Sequence, residues 1–260
     1  MNSKIAFNSA NLVARVSNYR FSLSNWGELH QKTAAEMTAQ EWNAICAEIA
    51  GAGFRAVEIW EAHADPKHMT PAKSKIWREI LDSHDLEPLA YAGGLSRDTA
   101  QVCAWLGIPL IAGGGHPKLE SGAPDLEEMR AICREFGVRY AFENHPEKSS
   151  AAILEHVGGG GDDLLGVAID TGWLGTQGLD APTVLREVGR SLFHLHVKDV
   201  RASGGHETTP LGEGSVDLEG IFKVSREIGY DGYYSWEDEP ENRNPFEIAA
   251  QMRVWIEQRI

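Results

Sequence analysis

Short β-rich runs alternate with amphipathic helical segments along the whole chain, and this alternation limits the possible fold more than any other feature. Candidate strands lie near Lys4–Ser9, Arg55–Trp60, Pro88–Ala92, Pro109–Ala112, Val138–Asn144, Leu164–Asp170, Leu192–Lys198 and Gly232–Glu237. The intervening stretches carry helical periodicity with start and stop signals. Thr38 caps a segment that puts Trp42, Ile45, Cys46 and Ile49 on one face and stops at Gly51. Asp125 opens another, with Leu126, Met129, Ile132, Cys133 and Phe136 on one face before Gly137. The run DLEGIFKVSREIG repeats that design. Strands alternating with helices make an α/β fold with a parallel sheet. A count of eight predicts closure into a (β/α)8 TIM barrel, and 260 residues is close to the usual length of one. No linker divides the chain, so residues 1–260 are expected to form one domain. The stretch Asn11–Met37 reads as an irregular loop over the barrel mouth.

Strand parity locates a polar constellation. Successive strand side chains face opposite sides. Val138, Tyr140 and Phe142 therefore oppose Ala141, Glu143 and His145. Leu165, Val167 and Ile169 oppose Gly166, Ala168 and Asp170, and Leu195 and Val197 oppose His194, His196 and Lys198. In the last strand Tyr234 and Trp236 oppose Tyr233, Ser235 and Glu237. The bulky face suits packing on helices. The small or polar face ends, strand after strand, in Glu143, Asp170, His196 and Glu237. Three carboxylates and an imidazole in phase make a divalent-metal site. The oxygen-rich set favours Mn²⁺ or Mg²⁺, with Co²⁺ or Zn²⁺ as alternatives, over a structural zinc.

Composition excludes several classes of function. The net charge of −14, from 24 basic and 38 acidic residues, repels phosphate backbones and anionic lipid, and no Lys/Arg-rich run offsets it. Neither a nucleic acid nor a membrane is expected as partner. The first residues, MNSKIAFNSANLV, lack the apolar core of a secretory signal, so a cytoplasmic protein is expected. Cys46, Cys103 and Cys133 are odd in number, widely spaced and set among apolar neighbours, which suggests buried free thiols. Gly158–Gly161 lacks the Lys-Ser/Thr of a phosphate loop and reads as a turn. The run Ile111–Pro117 follows the fourth strand, and its glycines suit either a close approach to a ligand or a tight turn.

The motifs AVEIW, FENH, IDTG, HLHVKD and PLGEGSVDLEGIF…GYDGYYSWE stand at the second, fifth, sixth, seventh and approaching eighth strands. In this order and spacing the chain resembles the xylose isomerase-like TIM-barrel superfamily, in particular its sugar phosphate isomerase/epimerase branch. The resemblance covers nearly the whole chain. It implies Glu143, Asp170, His196 and Glu237 as metal ligands and, as in the epimerases, proton transfer by Glu143 and Glu237. One position departs from the pattern. Many members carry Asp-x-x-His at the sixth strand, whereas Asp170 is followed here by Thr171, Gly172 and Trp173. The indole cannot ligate a metal but can stack on a sugar. The change also argues against the multi-zinc DNA-repair endonucleases of the superfamily.

The expected chemistry is isomerisation or epimerisation of a small ketose or keto-polyol through an enediolate, with Glu143 and Glu237 as acid and base. A dehydratase of an inosose or dehydroshikimate type would use the same site and then expel a β-hydroxyl. A non-catalytic carbohydrate-binding barrel is a third reading. Further substrate contacts are expected from His145, Lys198, His116, Trp173, His63 and Glu58, each of which also has a purely structural interpretation. His194 reads as an interior residue. No Arg/Lys cluster marks a phosphate pocket, which favours an unphosphorylated carbohydrate. Assembly into a homo-oligomer is compatible with this reading.

Overall fold

β-Branched, aromatic and alanine residues dominate the eight strands, and the computed structural model, described for residues 4–260, closes them into a barrel. In chain order the strands are Ile5–Asn8, Ala56–Trp60, Glu87–Ala92, Leu110–Gly113, Arg139–Glu143, Leu165–Asp170, Leu192–Val197 and Tyr234–Trp236. Each pairs in parallel with its neighbours in sequence, and the last pairs with the first. The molecule is thus a single-domain TIM barrel, as the alternation predicts.

The two faces of the strands differ as parity requires. Tyr140, Phe142, Val167, Ile169, Leu195, Val197, Tyr234 and Trp236 join the outer core. There they meet Trp42, Ile45, Cys46 and Ile49 of the helix Ala39–Gly51 and Met129, Ile132 and Cys133 of the helix Leu126–Phe136. Thr38 and Asp125 cap these two helices through their side chains. The inner face is narrow, lined by Ala6, Ala56, Ala90, Ala112, Ala141 and Ala168. Phe193 and Tyr233 pack against this inner cluster. A register shift at Val167/Ala168 aligns Ala168 with His194 and Asp170 with His196. Gly166 makes room for this, since a Cβ there would lie 2.5 Å from the Phe193 ring. The three cysteines are free and buried, as expected.

Two connections differ from expectation. The stretch Asn11–Met37 is not irregular: it holds short 3-10 turns and an 11-residue helix, Trp26–Glu36. This helix buries only Leu29, Thr33 and Ala34, so it carries little apolar periodicity to read. A hairpin of Asp199–Val200 with Thr208–Thr209 follows the seventh strand and had no sequence signal. The glycines where the third and fourth strands end bring main chain against main chain. A Cβ on Gly113 would lie 2.2 Å from the carbonyl oxygen of Gly93. Gly158–Gly161 forms the turn into the sixth strand, with positive φ at Gly158, Gly159 and Gly161. No described helix is long and apolar enough to cross a membrane.

Candidate metal centre and active site

Four adjacent strands end in Glu143, Asp170, His196 and Glu237, and their donor atoms lie within 4.8 Å of one another. Register sets this convergence: Asp170 pairs with His196, and Ser235, one residue before Trp236, pairs with His196 from the other side. His196 Nδ1 is 2.9 Å from Glu143 Oε1 and 2.9 Å from Glu237 Oε2. Asp170 Oδ1 accepts the backbone N–H of Gly172 at 2.7 Å and of Trp173 at 3.0 Å. Its Oδ2 is buried and has no hydrogen-bond partner. A buried, unpartnered carboxylate oxygen is costly. Here it joins two more carboxylates and an imidazole nitrogen, a donor set that fits one divalent cation.

A second layer orients the first. Glu58 lies wholly inside the barrel. Its Oε1 is 3.0 Å from His196 Nε2, and its Oε2 meets His194 Nε2 at 2.9 Å and accepts Ser235 Oγ at 2.6 Å. With Nε2–H donating to Glu58, the lone pair of a neutral His196 resides on Nδ1, the nitrogen that faces the cluster. Glu237 is held on both oxygens. Lys198 Nζ donates to Oε1 at 2.8 Å, and Asn8 Nδ2 donates to Oε2 at 2.7 Å. Glu143 is held on one side only, at Oε1. Its Oε2 faces His145 Nε2 at 3.7 Å. His145 Nδ1 is 3.1 Å from the Glu143 carbonyl, so Nδ1–H donates there and Nε2 is left open.

The charges of the cluster perturb one another. Burial pushes the Asp170 carboxyl up to about 7 despite Lys198 nearby, with Glu237 and Glu143 adding to the rise. Burial disfavours a charged His196, but Glu58, Glu237 and Glu143 outweigh it and hold its pKa well above the ordinary value. Burial likewise opposes the charge on Glu237, yet Lys198 and His196 hold that carboxylate well below the usual range. A dication bound here would displace the protons that these shifts favour.

Above the cluster opens a cavity of about 430 Å³. Glu143, His196 and Glu237 form its floor together with Asn8. Trp26, His30 and Trp60 pack edge to face along one part of the wall. Trp173 and His145 form another part, with ring centroids 5.2 Å apart. Main-chain atoms of Gly93, Gly94, Gly113 and Gly114 complete it.

The family profile described as xylose isomerase-like TIM barrel matches residues 46–259. The chain belongs to this family. Among curated relatives, the inosose dehydratase of Clostridium perfringens is 27% identical over 158 residues, which is 53% of this chain and 53% of that protein. The chain thus aligns with about half the length of the curated relatives it matches first. Among solved structures, an L-ribulose 3-epimerase superposes with a TM-score of 0.71 at 17% identity, covering 98% of this chain and 93% of the other. A probable 3-DHS dehydratase from Bacillus anthracis superposes with a TM-score of 0.68 at 15% identity, covering 100% of both chains.

Within this xylose isomerase-like barrel the residues singled out from sequence fall in several places. Glu143, Asp170, His196 and Glu237 converge, and His145 and Trp173 stand on the cavity wall. Lys198 and Glu58 lie behind the floor and touch Glu237 and His196 rather than the cavity. His63 and His116 lie elsewhere, contrary to the expectation that they contact substrate. His63 is buried against Trp60 and Trp42, with Nδ1 2.9 Å from Ser9 Oγ, and burial pushes its pKa down to about 3. It is a neutral packing residue. His116 borders a separate surface hollow, and its Nε2 meets His156 Nδ1 at 2.9 Å. Asn8, Trp26, Glu61 and Glu239 also line the cavity and were not among the residues singled out from sequence. Parity could have found Asn8, which shares its strand face with Ala6.

Proposed function

We propose that the protein is a divalent-metal-dependent enzyme that removes the proton beside the carbonyl of a small, uncharged keto-polyol and then expels a β-hydroxyl as water. The asymmetry of the two glutamates carries this reading. Glu237 has both oxygens occupied, by Lys198 on one and by Asn8 and His196 on the other. Glu143 has one oxygen turned to His196 and the other to His145. One available carboxylate and one imidazole, 3.7 Å apart on the same side of the cavity, suit removal and return of protons on one face of a substrate.

A dication held by Glu143, Asp170, His196 and Glu237 would supply a Lewis acid for the oxygen that becomes the enolate. Glu143 Oε2 takes the α-proton. The C–H electron pair forms the enolate, which collapses to a carbon–carbon double bond as the β-carbon–oxygen bond breaks. His145 enters the step as an imidazolium: it keeps Nδ1–H on the Glu143 carbonyl and gives its Nε2 proton to the departing hydroxyl, so the products are an enone and water. The imidazole is then recharged by the proton Glu143 collected. Asp170, fixed by the backbone N–H groups of Gly172 and Trp173, and His196, fixed by Glu58, keep the floor rigid. The charged residues on the cavity wall besides histidine are Glu61, Glu143, Glu237 and Glu239, which disfavour phosphate or carboxylate on the substrate. The oxygen-rich donors suit Mn²⁺ or Mg²⁺.

Epimerisation is the second reading, supported by the placement of Glu143 and Glu237 at equal distances from His196 Nδ1. Incubating the Mn²⁺-supplemented protein with inososes and ketoses in D₂O separates the two. Dehydration gives a product lighter by one water with enone absorbance. A product of unchanged composition, inverted at a carbon bearing deuterium, replaces it with epimerisation. Absence of both turnover and α-proton exchange across the panel removes the enolisation reading.

A further inference from the structure

Glu239 stands just beyond the eighth strand with φ at +46°, a left-handed backbone that non-glycine residues seldom adopt. Its side chain is mostly buried and makes two long-range contacts. Trp26 Nε1–H donates to Oε1 at 2.8 Å, and Lys198 Nζ donates to Oε2 at 2.7 Å. Lys198 in turn reaches Glu237 Oε1 at 2.8 Å and lies 3.6 Å from Asp170 Oδ2. Further bonds hold the backbone of this corner. Asn11 Oδ1 accepts the N–H of Asp238 at 2.6 Å and of Glu239 at 3.3 Å, and Phe21 N–H donates to the Glu241 carbonyl at 3.0 Å.

We infer that Glu239 is a positioning residue that joins the helix over the cavity mouth to the metal-binding carboxylates. This rests on the metal centre proposed above. Its two oxygens do separate work. Oε1 fixes Trp26, the first residue of the helix Trp26–Glu36, as a wall of the cavity. Oε2 neutralises Lys198. A lysine ammonium beside Glu237 and Asp170 holds those carboxylates in place but also opposes a dication between them. A carboxylate on the far side of the ammonium reduces that opposition while leaving its hydrogen bonds to Glu237 intact. The left-handed turn at Glu239 is what brings one side chain within reach of both partners.

Three variants separate the two ends, read by Mn²⁺ titration calorimetry and by hydrogen–deuterium exchange of the intact chain. Glu239→Gln keeps an acceptor for Trp26 and loses the charge opposite Lys198. It should weaken Mn²⁺ binding by about tenfold, within the range for outer partners of a metal site, and leave exchange in residues 26–36 unchanged. Trp26→Phe keeps an aromatic ring and loses the N–H. It should speed that exchange and leave the Mn²⁺ Kd unchanged. Glu239→Asp keeps the charge with a shorter reach, and should bind Mn²⁺ more tightly than Glu239→Gln while losing the protection of the helix. If Glu239→Gln and Glu239→Asp bind Mn²⁺ alike, or if Trp26→Phe leaves exchange unaltered, the coupling is overturned while the metal centre stands. A wild-type chain that takes up no Mn²⁺ overturns the metal centre and the coupling together.

Discussion

His196 Nε2 lies 3.0 Å from Glu58 Oε1, and this contact directs the opposite ring nitrogen at Glu143 and Glu237. Glu58 also receives His194 and Ser235, so three side chains converge on it from inside the barrel. Replacing it with glutamine leaves one amide oxygen for three donors. Glu58→Gln is expected to weaken Mn²⁺ affinity by roughly 10- to 100-fold although the residue lies outside the donor set. Calorimetric titration of the folded variant measures this, and an unchanged Kd would remove Glu58 from the orienting role.

The two glutamates are expected to behave differently. Glu143→Gln should lower kcat by at least ~10²-fold at saturating Mn²⁺, because it removes the base. Glu237→Gln should chiefly raise the Mn²⁺ concentration needed and regain much of its turnover when metal is in excess. Steady-state kinetics across a metal series distinguish them. Equal, unrescued losses would return the two-glutamate epimerase mechanism.

Metal uptake should release protons and strengthen with pH. In the cation-free protein Asp170 holds its proton up to about 7 and His196 holds one well above its ordinary pKa, and both must be deprotonated to ligate. The apparent Kd for Mn²⁺ should therefore fall as pH rises toward about 7, where Asp170 deprotonates, and go on falling above it as His196 does. The stability consequence has a definite sign. Asp170, with its folded pKa raised, makes the cation-free fold less stable as pH rises from about 4 to about 7, since the folded chain then binds the extra proton. Glu237, with its pKa depressed, contributes stability above the usual carboxylate range and loses it in acid. Calorimetry in buffers of different ionisation enthalpy counts the protons. A count of zero at pH 6 would contradict the protonated cluster.

Trp173 makes T-shaped contacts with His145 and His206 and is half-buried on the cavity wall. Trp173→Ala should raise KM more than it lowers kcat and alter preference within a panel of polyols. Its cost in stability should fall below the ~3–5 kcal/mol of a fully buried tryptophan. Thermal unfolding and relative kcat/KM decide the matter, and a full core-sized loss with unaltered preference would make the residue packing only.

Cys46, Cys103 and Cys133 should resist a thiol reagent until the chain unfolds. Burial raises all three thiols, Cys133 to about 11, so little thiolate exists at neutral pH. Reaction with a disulfide reagent before and after denaturation tests this, and rapid labelling of the native protein would refute it.

The convergence of four polar strand ends was legible because a strand has a period of two and a barrel puts every strand's end at one mouth. Those rules place Glu143, Asp170, His196 and Glu237 without knowledge of the strand pairing. They say nothing of what lies between strands distant in sequence. The contact of Trp26 with Glu239 depends on closure of the ring, that of Lys198 with Glu239 on the turn after the eighth strand, and neither leaves a local pattern. His63 and His116 also follow strands, but His63 ends the 3-10 helix Glu61–His63 and His116 lies in the irregular chain after the fourth strand, where parity no longer dictates direction. The helix Trp26–Glu36 escaped notice because only a few of its residues are buried.

Where Gly113 approaches Gly93, one side of the cavity is main chain against main chain, with no room for a Cβ at Gly113. That side cannot be resculpted by exchanging a side chain, because any substitution at Gly113 first breaks the contact between two strands. Trp26 and Trp173, on the other walls, can shrink or change shape one mutation at a time. Descendants of this chain that acquire new substrates would therefore accumulate their differences on the aromatic walls, and the glycine side would remain the inherited datum against which each new pocket is measured.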